Sequence, residues 1–143
     1  MAEIVAADYY IRAVLMANVN ITDIVDNRIS PLPFHQLISG TAIGWSRNPG
    51  NDARGVGGVR IFSEFTYNVL AVFEGHTIEG GVELQALIDD ALTLRAGDAL
   101  YETPYGTIYS CVRDTAISYP ERIDSNKMRQ YLGGRYRLRV KRS

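Results

Sequence analysis

The sequence predicts an α+β fold, an antiparallel four-stranded sheet packed against two helices, in a single domain spanning residues 1–143. Three observations carry this expectation. Residues 60–74, RIFSEFTYNVLAVFE, put Ile61, Ser63, Phe65, Tyr67, Val69, Ala71 and Phe73 on one face and Phe62, Glu64, Thr66, Asn68, Leu70, Val72 and Glu74 on the other. Period-2 alternation of that length marks a long strand with one buried and one mixed face. Near the C-terminus, Tyr136, Leu138 and Val140 alternate with Arg135, Arg137, Arg139 and Lys141, which marks a last strand. Finally, residues 2–17 and 79–92 carry apolar side chains at helical spacing.

In chain order, the first helix buries Ile4, Ala7, Ile11, Val14 and Leu15, with Glu3, Asp8 and Arg12 elsewhere on its surface. Asn18 to Asn20 end it. Asn20 or Thr22 caps a short helical turn over Ile21 to Val25. RISPLPFH holds two prolines, each without a ladder donor, and reads as an extended connection that packs Ile29, Leu32 and Phe34 on the core. Gln36 to Ser46 is a strand weakened by Gly40 and Gly44, with Trp45 as a core or interface anchor. Residues 47–58, RNPGNDARGVGG, contain four glycines, one proline and two asparagines, and read as a flexible loop.

After the central strand, the second helix centres its apolar side on Leu84, Leu87, Ile88 and Ala91 and stops before Gly97. Residues 98–106 form a connection, and Thr107 to Tyr119 a strand disturbed around Arg113-Asp114. Pro120 to Met128 is a polar excursion, and a Gly133-Gly134 turn flanks the last strand.

A chain of 143 residues with net charge −1 is one ordinary domain, able to bury a core without disulfide or metal staples. Cys111 is alone and reads as a small buried hydrophobe. No apolar run reaches the length of about 18 residues that a membrane helix needs, and MAEIVAADYY has neither the basic nor the apolar region of a secretion signal. The expected location is therefore the cytosol or a particle assembled there. Residues 1–105 hold 6 Lys/Arg against 13 Asp/Glu, and residues 106–143 hold 9 against 3. Such asymmetry suits a subunit that neighbours copies of itself, unless the fold interleaves the two halves.

The inventory for catalysis is thin. His35 and His76 stand far apart, and neither is at ligand spacing from Cys, Asp or another His. Glu74-Gly75-His76 at a strand end reads as structural or solvent-exposed. Asp89 and Asp90 are adjacent on a helix, point in different directions and read as a solvated face. The glycines of residues 47–58 match neither GxxxxGK[ST] nor GxGxxG. No catalytic residue, cofactor site or metal site is assigned, and the expected protein is not an enzyme. Arg135, Arg137 and Arg139 invite a nucleic-acid reading, but the whole chain is slightly acidic. The same residues could salt-bridge to acidic neighbours or keep an edge strand solvated. Nine tyrosines favour an interface protein. The candidate interface is Glu64, Thr66, Leu70, Val72, Arg135, Arg137 and Arg139, and the candidate partner loop is Arg47, Asn48, Asn51, Asp52 and Arg54.

The N-terminal helix followed by VDNRISPL, with Val25, Arg28, Ile29 and Pro31, resembles the opening of the tail-completion or tail-terminator proteins (minor tail proteins) of long-tailed bacteriophages and prophages. The resemblance continues through Phe65 to Phe73, the helix at Thr77 to Leu94, and the closing strands at Gly106 to Asp114 and Gly134 to Val140. It implies a virion protein of the head-proximal end of the tail that closes into a ring, commonly a hexamer. Such a ring caps the tail tube, ends polymerisation of the tube protein and offers the surface for the head connector protein, while DNA passes its lumen without sequence-specific binding. The alternatives are a head-completion or connector adaptor, or a small nucleic-acid-binding protein.

Overall fold

A computed structural model of the chain describes residues 2–32, 40–48, 51–54, 60–95 and 97–142; the side chains of residues 2, 3, 51–54, 60–62 and 142 lie outside that description. Helix α1 runs over Ala2–Met16 and turns Ala6, Ala7, Tyr10, Ile11 and Leu15 into the core, as its spacing requires. Helix α2, Val19–Val25, starts earlier than expected because Asn18 is its cap. The Asn18 side-chain oxygen accepts from the Ile21 N–H at 3.2 Å. Asp26 closes the helix at φ 55, with its N–H donating to the Thr22 carbonyl at 2.8 Å. Helix α3 covers Val82–Leu92 behind a 3-10 turn at Glu79–Gly81 and buries Leu84, Ile88 and Leu92.

The four-stranded antiparallel sheet on two helices is not what the chain forms. The strands are β1 (Ile29–Pro31), β2 (Ala42–Arg47), β3 (Asn51–Arg54), β4 (Arg60–Glu74), β5 (Tyr101–Thr103), β6 (Gly106–Arg122) and β7 (Met128–Arg142). Six follow the order β1-β2-β4-β7-β6-β5, and β3 joins β4 off that path. Because β1 runs parallel to β2, the sheet is mixed; it curls as a half-barrel against three helices.

Each missed strand has a physical reason. In β1, prolines argued against a ladder, yet Leu32 N–H donates to the Trp45 carbonyl at 2.7 Å and Ile43 N–H to the Arg28 carbonyl at 2.8 Å. The ladder thus runs through the residues around Pro31, whose missing donor falls on the open edge of the sheet. Strand β3 lies within the stretch read as a loop. Asn51, Asp52 and Ala53 pair with Glu64, Ser63 and Phe62, on the same edge of β4 that β2 occupies further along. Strand β5 is a three-residue return in which the Thr103 hydroxyl bonds the Gly106 carbonyl at 2.7 Å and accepts from the Gly106 N–H at 3.0 Å.

The expected polar excursion is mostly strand: β6 continues through Pro120 to Arg122, and only Ile123–Lys127 turn the chain. Gly133 and Gly134 are likewise not a turn but lie inside β7. A Cβ on Gly133 would run into the Val69 carbonyl, so the sheet needs glycine there for close backbone approach, while one on Gly134 would meet the Arg113 side chain.

The register fixes the faces. Phe65 opposite Leu138, Tyr67 opposite Tyr136 and Ser63 opposite Val140 point toward the helices. The core lies between them and the buried sides of α1, α2 and α3. Strand β6 changes register between Ile108 and Ser110 and again between Arg113 and Thr115, where its alternation is broken in sequence.

Candidate interaction surfaces

Helix α1 is apolar on more than its core side. Val5, Tyr9 and Ala13 form one i, i+4 row, and Asp8, Arg12 and Met16 form the next. With Trp45 from β2 and Tyr105 from the β5–β6 turn, these rows line a groove of about 540 Å³. Val5, Tyr9 and Tyr105 are each more than 40% exposed. Tyr9 and Tyr105 meet edge to face at 6.2 Å, and Trp45 leans on the ring of Tyr67 at 5.8 Å. The Trp45 indole Nε1 is buried and donates to no acceptor among the described residues. A helix apolar on two sides normally has both covered.

Polar anchors hold the groove's floor. The Tyr67 hydroxyl donates to the Asp8 carboxylate, which Arg47 also grips at 3.2 Å and 3.3 Å. Burial and the Asp8 charge push the Tyr67 hydroxyl far above its ordinary pKa. A second anchor stands on the neighbouring strand, β7. There the Tyr136 hydroxyl donates to Asp89 at 3.0 Å with Arg113 at 3.8 Å, and burial and Asp89 raise its pKa likewise. Asp89 is therefore not part of a solvated face, although Asp90 is exposed. Burial also raises Tyr10, whose hydroxyl donates to the Leu92 carbonyl at 2.7 Å, and the buried thiol of Cys111. The Tyr10, Tyr67 and Tyr136 hydroxyls thus each donate one hydrogen bond that ties a helix into the fold.

The opposite face of the sheet carries the interface residues expected from sequence, in two different states. Leu70 and Val72 are buried within the chain, together with Tyr131 and packed by Leu32 and Ile117, so they offer no open surface. Glu64, Arg135, Arg137 and Arg139 are brought together with Asp114, which sequence reasoning missed. Arg139 and Arg137 reach Glu64 at 3.3 Å and 3.6 Å, while Arg137 and Arg135 reach Asp114 at 3.1 Å and 3.0 Å. Desolvation pushes the Asp114 carboxyl up, but bonds from Arg135 and Thr115 and the nearby cations outweigh it and hold its pKa below the ordinary carboxylate value. Thr66, half-buried, stands opposite Arg137. The only hint of Asp114 in sequence was the break in alternation, because a bulge residue escapes the two-face pattern.

Of the expected partner loop, Arg47 ends β2 against Asp8, and Asn48 donates its N–H to the Thr66 carbonyl at 2.8 Å. Asn51, Asp52 and Arg54 are in β3, and their side chains lie outside the described part of the structure, as do residues 55–58 of that loop and His35. His76 is exposed. Among the described residues, no three His, Cys, Asp or Glu side chains are placed to share a metal ion, and no helix is long and apolar enough to cross a membrane.

At the far end of the sheet, the β6–β7 hairpin forms a second exposed apolar patch. Tyr119 is 43% and Ile123 36% exposed. Tyr119 stacks on Tyr131 at 4.6 Å, and the Tyr131 hydroxyl donates to Glu121 at 2.9 Å. The tip is pinned by Ile123 N–H donating to the Lys127 carbonyl at 3.0 Å and by Asp124 Oδ1 accepting from the Asn126 N–H at 2.8 Å.

No family model matches the chain, and no curated protein matches it.

Proposed function

We propose that this chain is a structural virion protein of the tail-terminator kind, a subunit of a ring that caps a phage tail tube, ends its polymerisation and presents the surface for head docking. The observation that carries the reading is the uncovered second apolar side of α1, with Trp45 and Tyr105 beside it. An exposed groove of aromatic and aliphatic side chains is the mark of a surface made to be covered by protein. The segment VDNRISPL, which resembles one near the start of tail terminators, supports this kind of assembly. Supporting it against a nucleic-acid reading, the arginines of β7 are held by Glu64 and Asp114 and are not presented as free cations to phosphate.

The partners under this reading are further copies of the chain, the tail-tube protein and the head connector protein, with DNA passing the lumen. The test is electron microscopy of particles assembled without this product. Overlong or unjoined tails are expected, with rings of the purified protein visible separately. Normal-length tails joined to filled heads would overturn the proposal.

A further inference from the structure

Tyr105 of the α1 groove directly precedes the first residue of β6, and Ile123 of the β6–β7 tip directly follows its last. The groove's other wall, Trp45, is level with Ala116 through Val69 and Gly134, and Tyr119 of the tip lies three residues further along β6 on the opposite face of the sheet from the helices. Two different patches that fit each other can meet head to tail, and that heterologous contact, repeated by a rotation, closes into a ring.

The chemistry of the two patches is complementary. The groove offers Val5, Tyr9 and Met16 as apolar walls and exposed Arg12, for which no carboxylate partner stands among the described residues. The tip offers the exposed side chains of Tyr119 and Ile123 and the carboxylate of Asp124. It also offers the Ser125 and Asn126 carbonyls, which accept no backbone hydrogen bond among the described residues. A tip seated in the groove would bury Ile123 and Tyr119 and set Asp124 toward Arg12. The turn is already fixed by its internal hydrogen bonds, so little ordering entropy opposes the contact.

We infer that the α1 groove is the socket for the β6–β7 hairpin tip of a second copy of this chain. This rests on the ring reading above and names its subunit contact. The experiment uses the full chain in sedimentation velocity, with Tyr9→Lys and Met16→Glu as groove variants and Ile123→Asp as the tip variant; all three sites are exposed, and circular dichroism checks the fold of each. Wild type is expected to assemble, and each variant to weaken assembly by roughly 30-fold or more, the effect of spoiling a central anchor. In a second arm, Met16→Cys and Ile123→Cys chains are mixed and oxidised. The expected product is the mixed disulfide between the two chains, in excess over either self-disulfide.

A wild type that assembles while Ile123→Asp assembles equally well overturns the socket alone. So does a predominant self-disulfide between two copies of the Met16→Cys chain, which would place α1 against α1. A wild type that stays monomeric at every concentration overturns both the socket and the ring.

Discussion

At the residue scale, the core is organised by tyrosine hydroxyls. Tyr10 bonds a backbone carbonyl, and Tyr67 and Tyr136 bond Asp8 and Asp89, tying α1 and α3 to the middle of the sheet. All three hydroxyls, and the Cys111 thiol, have pKa values raised by burial. The fold favours their neutral forms, so the folded chain keeps protons that the unfolded chain has begun to lose. Stability is therefore intact below the unfolded values, about 8.5 for Cys and about 10 for Tyr, and falls as pH rises beyond them. Tyrosinate absorbance followed with the thermal midpoint checks this. Tyr10, Tyr67 and Tyr136 are expected to ionise only with cooperative unfolding. Ionisation of these three near pH 10 in a still-folded chain would contradict it.

At the element scale, the β4–β7 pair is the backbone of the fold, with twelve residues of unbroken register from Ser63–Val140 to Glu74–Arg129. Its tight point is Gly133, where an added Cβ meets the Val69 carbonyl and the Leu70 Cα, both backbone atoms that cannot rotate away. Gly133→Ala is expected to cost about 1–3 kcal/mol, the usual penalty for forcing extra volume into a packed site. A lower urea midpoint at unchanged slope would show it. An unshifted midpoint would mean that β7 can slide to make room, and the register argument would fall. The hairpin β6–β7 extends this frame beyond the helices: Ala116, Ser118 and Pro120 lie on the helix-side face of β6 and are nonetheless exposed.

At the scale of the whole molecule, the charge division along the chain is bridged at two places, where Glu64 meets Arg137 and Arg139 and Asp89 meets Arg113. The basic last strand lies beside Glu64 from the acidic part and Asp114 from β6, so the interleaving reading of the charge asymmetry applies on this face. Binding to duplex DNA is therefore expected to be weak, with a log–log salt slope of roughly −2 or shallower. A Glu64→Gln, Asp114→Asn variant, which removes the carboxylates that hold Arg135 and Arg137, is expected to bind more tightly with a steeper slope. Fluorescence anisotropy over a salt series reads both. A steep slope for wild type, unchanged in the variant, would return the nucleic-acid reading to the front.

The long elements were legible from residue order. Arg60–Glu74 and the end of β7 announce themselves because alternation over many residues is a local property of the strand, and helices α1 and α3 do so by their apolar spacing. The short strands β1, β3 and β5 were not legible, since three or four residues carry too little pattern and owe their pairing to a neighbour supplied from elsewhere in the chain. The candidate surfaces divide in the same way. Trp45 stood out as an anchor by its type alone, and the arginines of β7 by their alternation. The groove needed Val5, Tyr9 and Met16 to be left uncovered while the other side of the same helix was buried. Likewise, Leu70 and Val72 were withdrawn from the surface by Tyr131, Leu32 and Ile117. Residue order sets which faces of an element are apolar; which of those faces finds a partner within the chain depends on contacts between segments far apart in sequence.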